Sequence, residues 1–516
     1  GSAFHTTLPI WLVKSQPAIC LRQSMPKPQV VWFKRDLRTQ DHTALQTALS
    51  QGATLALYVL EPHLWEQPTA SLRHWQLLRE AIGNLAVELQ RAGGELCVRI
   101  GAIEQVLSEL HLQFGSFHLH AHEETGEAWT YARDQRVAQW CSQHGVQFSE
   151  YRNFGVFRGL KDRDGWARRW RSHMQAHVAP DTKPNWLSAV STADWQTWQP
   201  RVPGEPIAIT SGLDPQRQLD DFLQHRGERY HLEMSSPNTA PTACSRLSTL
   251  LATGRLSMRQ VVQQTWATQA QVKSLAPEQK GTWPKALAAF QSRVHWHCHF
   301  VQKFESEPAI ESQNMARSCD GLRENDFNEG HFEAWCKGET GFPFVDACMR
   351  YLNATGWINF RMRAMLVSFA SYDLWLHWRR PALHLARLFA DYEPGIHFSQ
   401  TQMQSGTTGI NTLRIYNPIK QSTDQDPDGH FIRTWVPELA GLSAPMIHTP
   451  WLATQLEQIA AGCSIGQDYP APIVDHAMAS RSARAKFSAV RASAAGKTDR
   501  HSIVARHGSR KGGSRR

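Results

Sequence analysis

Residues 29–62 read QVVWFKRDLRTQDHTALQTALSQGATLALYVLEP, and the alternation inside this stretch decides the architecture of the first part of the chain. VVWF is a short continuous apolar run, the pattern of a strand buried on both faces. DHTALQTAL has helical spacing, and ATLALYVL is a second apolar run. ELCVRIG near 95–101 and FGSFHLHAHE near 114–123 repeat the strand signal, with amphipathic helical stretches between them. Strands alternating with helices at this spacing argue a parallel sheet with helices on both faces. An α/β domain is therefore expected over residues 29–155. Its first strand runs into Lys34-Arg35-Asp36-Leu37-Arg38 rather than GxGxxG or GxxxxGK[ST], which disfavours a standard dinucleotide or P-loop site.

Beyond this domain the pattern loosens. Residues 156–215 interleave Pro, Trp and Gly and read as a linker, and residues 216–475 show helical periodicity almost throughout. The Gly1-Ser2 start resembles a cloning remnant, and residues 1–28 read as an unstructured extension. The net charge of +9 is local: residues 481–516 hold eleven Lys/Arg against one Asp, which leaves 44 basic and 45 acidic residues elsewhere. Residues 476–516 therefore read as a disordered basic tail, able to add salt-sensitive phosphate affinity or simply to stay solvated. The nine Cys form no CxxC pair and lack zinc or iron–sulfur spacing, so they read as reduced thiols of a cytoplasmic protein without a metal site. No run of 18 apolar residues marks a membrane span. The 20 Trp suit either a large helical core or stacking on flat ligands.

Three stretches of the helical half carry chemistry. CSRLSTLLATGRLSMRQ brackets Arg246 with Ser245 and Ser248 before a helix start, where hydroxyls and free N–H groups can cradle a phosphate or simply cap the helix. SRVHWHCHF places Arg293, Trp296, His297 and Phe300 at i, i+3, i+4 and i+7, a face suited to stacking bases and touching phosphates. TGWINFRMR sets Arg361 and Arg363 in an apolar helical pattern, where each cation needs an anion. Asp391 and Glu393, in a loop before Pro394-Gly395, offer a carboxylate for one of them.

Together these segments resemble the photolyase/cryptochrome family over about residues 29–475. VWFKRDLRTQDHTAL resembles its opening strand and loop, CSRLSTLLATGRLS its flavin phosphate loop, TGFPFVDACMRYLNATGWINFRMR its central helices, and RIYNPIKQ, FIRTWVPEL and YPAPIVDH its C-terminal signature. The resemblance implies an α/β antenna domain followed by a large all-helical domain holding FAD in a folded form. Tyr230, Cys244, Ser245, Arg246, Leu247 and Ser248 would hold its phosphates. Arg363 would pair with Asp391 beside the isoalloxazine, in a loop continuing through Tyr392 and Glu393. The implied activity is light-driven repair of cyclobutane pyrimidine dimers in UV-damaged DNA, by a monomer. Trp296 would stack on the flipped lesion, with Arg293, Phe360 and Arg361 around the reacting bases, and His297, Phe300 and Gln421 completing the DNA contacts.

The chain departs from that pattern at informative places. Arg293 stands where dimer enzymes carry a Glu, Phe360 where Asn or, in (6-4) enzymes, His is usual, and Ala364 where Met is usual. The absent His argues against (6-4) repair. The flavin-proximal Trp of the family's electron-transfer chain has no counterpart within 397–401, and none stands near Asn325, so Trp375 and Trp378 are the candidates for a rerouted path or else core residues. Gly395, Ile396 and His397 are candidates for facing flavin N5, and His397 would tune the flavin by its protonation. Glu123, Arg133 and Asp134 mark the place where relatives bind an antenna chromophore, a folate or a deazaflavin. The rival reading from another class is a cryptochrome, a blue-light receptor without repair activity.

Overall fold

The computed structural model describes residues 27–178, 184–187, 190–208 and 214–508. Five parallel strands, β1 (Gln29–Phe33), β2 (Thr54–Leu60), β3 (Leu96–Ile100), β4 (His118–His122) and β5 (Gln147–Tyr151), form one sheet in the order β3-β2-β1-β4-β5. Every residue of β1, β2 and β4 is buried, which explains why the first two read as continuous apolar runs. Val31 pairs with Ala56 on one side and His120 on the other. Helices α1 (Thr43–Gln51), α2 (Leu72–Arg91), α3 (Ile103–Phe114) and α4 (Ala128–His144) supply the crossovers. The edge strand β5, QFSEY, is not legible in the sequence because it is half-exposed and has no apolar run.

Part of the linker lies along the α/β domain. The Thr54 N–H donates to Asn185 O, the Leu187 N–H to Thr54 O, and the Ala193 N–H to Val98 O. Trp186 and Trp195 pack against the same core as Trp75, which meets Trp198 edge-on at 5.1 Å. Several of the many Trp thus serve packing, and Trp32, Trp335 and Trp378 are fully buried as well.

The helical domain is built around α5 (Met258–Ser274), α6 (Trp283–Ser306), α7 (Pro343–Thr355), α8 (Phe360–Ser368) and α9 (Pro394–Ser405). The apolar pattern spanning TGWINFRMR is broken: α7 stops at Gly356, whose φ of +73° ends the helix, and α8 restarts at Phe360. Asn359 ties this corner down by donating to the Met234 and Ser235 carbonyls.

The basic tail departs from the disorder expected of it. Residues 476–507 form α10 (His476–Ala492) and α11 (Ala494–His507), capped by Asp475 and Ser493. Ala483 and Phe487 of α10 and Ile503 and His507 of α11 are buried. Asp499 accepts the Ser318 N–H at 2.7 Å, and Arg491 donates to Asn411 O at 2.5 Å. A composition rich in Ala and Arg favours helix, and apolar groups at 483, 487 and 490 share one face, so packing supplies what low hydrophobicity does not. Residues 509–516 and 1–26 lie outside the described residues.

The loop after β1 joins the two domains. The Leu37 N–H donates to Thr253 O, Arg35 Nε to Ala252 O, and Arg38 Nη1 to Gly254 O. These are the terminal carbonyls of the helix Ser248–Thr253, which have no partners within their own helix. Gly254 has φ +74°, and a Cβ there would lie 2.1 Å from Arg35 O and 2.4 Å from Asp36 Cα. Gly254→Ala is therefore expected to cost about 2–4 kcal/mol and to lower the melting temperature. Calorimetry of the variant checks this, and an unchanged melting curve would refute it.

Candidate functional site

A cavity of about 930 Å³ opens in the helical domain, lined by α6, the start of α8, the loop 391–393 and α9, together with Tyr230 and the segment around Ser245. At its inner wall Arg363 grips Asp391 with two hydrogen bonds, Nη1 to Oδ1 at 3.0 Å and Nη2 to Oδ2 at 2.8 Å. The same guanidinium donates through Nε to Ile358 O at 2.7 Å and lies 4.2 Å from the Phe389 ring centre. Burial pushes the Asp391 carboxyl up, but Arg363, helped by Ser248 and Arg246, more than offsets it and holds it below the usual carboxylate range. Next to it, Glu393 accepts from Arg35 of the α/β domain at 2.5 Å, and Tyr392 donates to Glu127 at 2.7 Å. Burial raises the Glu393 carboxyl, with Arg35 countering part of the shift.

The segment around Ser245 is held from behind. Arg226 donates to the Ser245 carbonyl at 2.6 Å and Gln218 to that of Arg246 at 2.6 Å. Cys244, Ser245, Leu247 and Ser248 line the cavity, whereas Arg246, at φ +57°, turns away and lies 4.0 Å from the Trp357 ring centre. Burial pushes the Cys244 thiol up to about 11, so it stays neutral. At the mouth Trp296 and Phe360 are exposed to 38% and 43%. Trp296 stacks on Phe300, with ring centres 5.5 Å apart and planes 26° from parallel, and Arg293 lies 5.3 Å from the Phe360 ring. Arg361 Nε, Asn359 Oδ1 and Gln404 Oε1 are buried without hydrogen-bond partners. One orphaned donor and two orphaned acceptors around a cavity of this size suit a large polar ligand, and a dinucleotide cofactor such as FAD, with both donors and acceptors, fits that set.

Not every candidate residue converges there. Gln421, on the helix Pro418–Gln425, does not line the cavity, nor do Trp375 and Trp378. Trp378 is fully buried and donates to Asn314 at 2.7 Å, while Trp375 lies between Arg323 and Lys486. His397 lines the cavity, but its Nε2 faces Ala382 O at 2.8 Å and burial lowers it to about 4. At neutral pH it is an uncharged group tied to backbone, which removes the protonation switch expected of it. Residues not foreseen from sequence include Trp357, Gln400, Lys303 and Arg414, besides Val504 and His507 of α11. Lys303 had a signal, since it extends the Arg293, Trp296, Phe300 stripe by one further step of three. The others come together only through tertiary packing.

The residues marked for an antenna chromophore are engaged largely with one another. Arg133 is buried and engages Glu61 at 2.9 Å, Glu124 at 2.6 Å and Asp134 at 2.9 Å, while Asp134 also accepts from Lys34 at 2.9 Å. Glu123 borders a hollow of about 20 Å³, room for a water molecule rather than a folate or deazaflavin. Nearby, Asp36, His42 and His122 have ligand atoms within 4.8 Å of one another. His42 Nδ1 accepts the Leu45 N–H, and its Nε2 lies 2.9 Å from Asp36 Oδ2.

Three imidazoles around the cavity carry a stability consequence. Burial lowers His297 to about 4, His299 to about 2 and His397 to about 4. Their folded values lie below the ordinary 6.5, so the unfolded chain binds protons that the folded chain refuses. Stability is full above pH 6.5 and falls as pH drops from there towards 4, by up to about 1.4 kcal/mol per pH unit for each group. Denaturant midpoints measured from pH 7.5 to 4.5 check this; His397→Gln is expected to flatten the slope, and an unchanged slope would refute its share.

Comparison with known proteins agrees with this geometry. Residues 29–157 match the family model described as DNA photolyase, and residues 290–489 match that described as the FAD binding domain of DNA photolyase. The chain is 30% identical over 478 residues to a deoxyribodipyrimidine photo-lyase of Vibrio cholerae, covering 87% of this chain and 96% of that one. It is 28% identical to a cryptochrome DASH of Synechocystis, with 87% and 96% covered. Among solved structures it is similar to a bacterial class III photolyase from Agrobacterium tumefaciens, with a TM-score of 0.72 at 25% identity over 92% of this chain and all of that one. The chain belongs to the DNA photolyase/cryptochrome family.

Proposed function

We propose that this protein repairs cyclobutane pyrimidine dimers in DNA under light, with FAD held in the cavity of the helical domain. The observation that supports this reading best is the division of that cavity into two parts. Its inner wall carries hydroxyls and the Arg363–Asp391 pair, and its mouth carries exposed aromatic faces flanked by Arg293 and Arg361. FAD, when bound, would supply light-driven, redox-neutral one-electron chemistry for breaking the two bonds that join the pyrimidines.

The residues of the chain position and desolvate. Trp296, exposed and backed by the offset ring of Phe300, offers an aromatic face on which an extruded pyrimidine dimer stacks. A dimer is cheaper to extrude than an intact pair because its stacking is already damaged. Arg293 and Arg361 place positive charge where the strand enters, and the Arg363–Asp391 pair presents polar edges without net charge to the inner ligand. Arg293, in place of the family's Glu, makes this mouth more cationic and ties affinity to phosphate rather than to the base edge.

The test is direct. Protein with its flavin reduced by dithionite is mixed with dimer-containing oligothymidylate under blue light, and the return of thymine absorbance is followed against a dark control. Light-dependent recovery is expected, and Trp296→Ala is expected to slow it about tenfold or more while retaining FAD. No recovery with reduced flavin bound would sink the proposal. The second reading, a light receptor, draws on α11, whose Val504 and His507 border the cavity; light-dependent loss of amide protection in α11 without repair would favour it.

A further inference from the structure

Among the described cations that border the cavity, Lys303 is one that neither the cofactor nor the lesion platform explains. Lys303 lies on α6, seven residues beyond Trp296 and three beyond Phe300, and its side chain borders the cavity with only 3% of the residue exposed. Its ammonium sits 5.6 Å from the Phe300 ring centre and makes no ion pair or side-chain hydrogen bond among the described residues. The carboxylate closest to it in charge effect, Glu307, is already engaged by His507 and Arg506 of α11. On the other side Arg163 adds a second positive charge and is held against His299 Nδ1 at 2.5 Å. Burial first, then Arg163, lowers Lys303 to about 8, so it remains mostly protonated at neutral pH. A buried ammonium beside another cation is costly unless something anionic arrives.

The arrangement on α6 indicates what arrives. Arg293, Trp296, Phe300 and Lys303 all border the cavity, giving a cation, two stacked rings and a cation along about 15 Å of helix. Aromatic faces flanked by positive charge at both ends match a short run of single strand, with bases on the rings and phosphates at the ends. We propose that Lys303, backed by Arg163, is a phosphate subsite for the nucleic-acid strand entering the cavity. This rests on the cavity being a nucleic-acid site, but not on which lesion is repaired. The FAD phosphates are the alternative source of the same chemistry, and the segment around Ser245 already provides for them.

The experiment uses the full chain with FAD bound. Undamaged and dimer-containing oligothymidylate are titrated by fluorescence anisotropy over a series of salt concentrations, with wild type, Lys303→Met and Lys303→Arg. Lys303→Met is expected to weaken both oligonucleotides about tenfold and to lower the slope of log K against log salt by about 0.7, the value for one phosphate on a single strand. Lys303→Arg is expected to keep the slope. Without oligonucleotide, Lys303→Met should melt higher than wild type, since an unpaired buried charge has gone; a lysine serving only the fold would lower it. Unchanged affinity and slope in Lys303→Met overturn the subsite, and loss of FAD from that variant assigns the phosphate to the cofactor and overturns it too. If wild type binds both oligonucleotides equally, the lesion reading fails while the slope still decides the subsite. If wild type binds neither, both fall.

Discussion

The docking of the Arg35–Arg38 loop onto the end of the helix Ser248–Thr253 is the constraint on which the rest of the molecule depends. It satisfies helix-terminal carbonyls with Arg35, Leu37 and Arg38, and it needs the bare backbone of Gly254. The same Arg35 reaches Glu393, two residues from Asp391. One loop therefore fixes the relative position of the segment around Ser245 and the acidic loop, which border the cavity together. The α/β domain shapes the cavity without lining it.

Charge follows the same logic at successive depths. The interdomain contacts include compensated pairs: Arg35 with Glu393, and Arg259 with Asp41 at 3.2 Å. At the inner wall Arg363 and Asp391 are also compensated, with two bonds that fix orientation as well as charge. Elsewhere along the cavity the balance fails, since Arg293 and Arg361 near the mouth and the buried Lys303 have no carboxylate pairs among the described residues. A cavity with cations left unpaired suits an anionic ligand entering from solvent. Salt bridges retained for packing would be expected to pair throughout.

The sheet illustrates how buried polar groups divide a fold's interior from a functional site. Its switch point between β1 and β4 is where open α/β sheets commonly bind ligands. Here it is filled by Asp36, His42 and His122 and, further along, by Arg133 with its three carboxylates. Polar side chains turned towards one another occupy that position here, and the cavity of about 930 Å³ lies in the helical domain.

Much of this architecture is legible in the amino-acid sequence alone. Continuous apolar runs in β1 and β2 declare a parallel sheet, because strands covered on both faces have no polar side. Helical periodicity marks the second domain, and two arginines in an apolar stretch require a carboxylate, which Asp391 supplies to Arg363. The edge strand β5 gives no such signal because half-exposed residues form no apolar run. The C-terminal helices are hidden too, because composition averages away the single apolar face at 483, 487 and 490. Sequence spacing places Arg293, Trp296, Phe300 and Lys303 on one helix face, since that is a matter of 3.6 residues per turn. Only the tertiary structure decided that Glu307 is taken up by α11, that His397 is tied to Ala382 O, and that Arg133 is answered by Glu61 and Glu124. Which charges remain unpaired depends on contacts between residues distant in the chain, and local pattern holds no record of those.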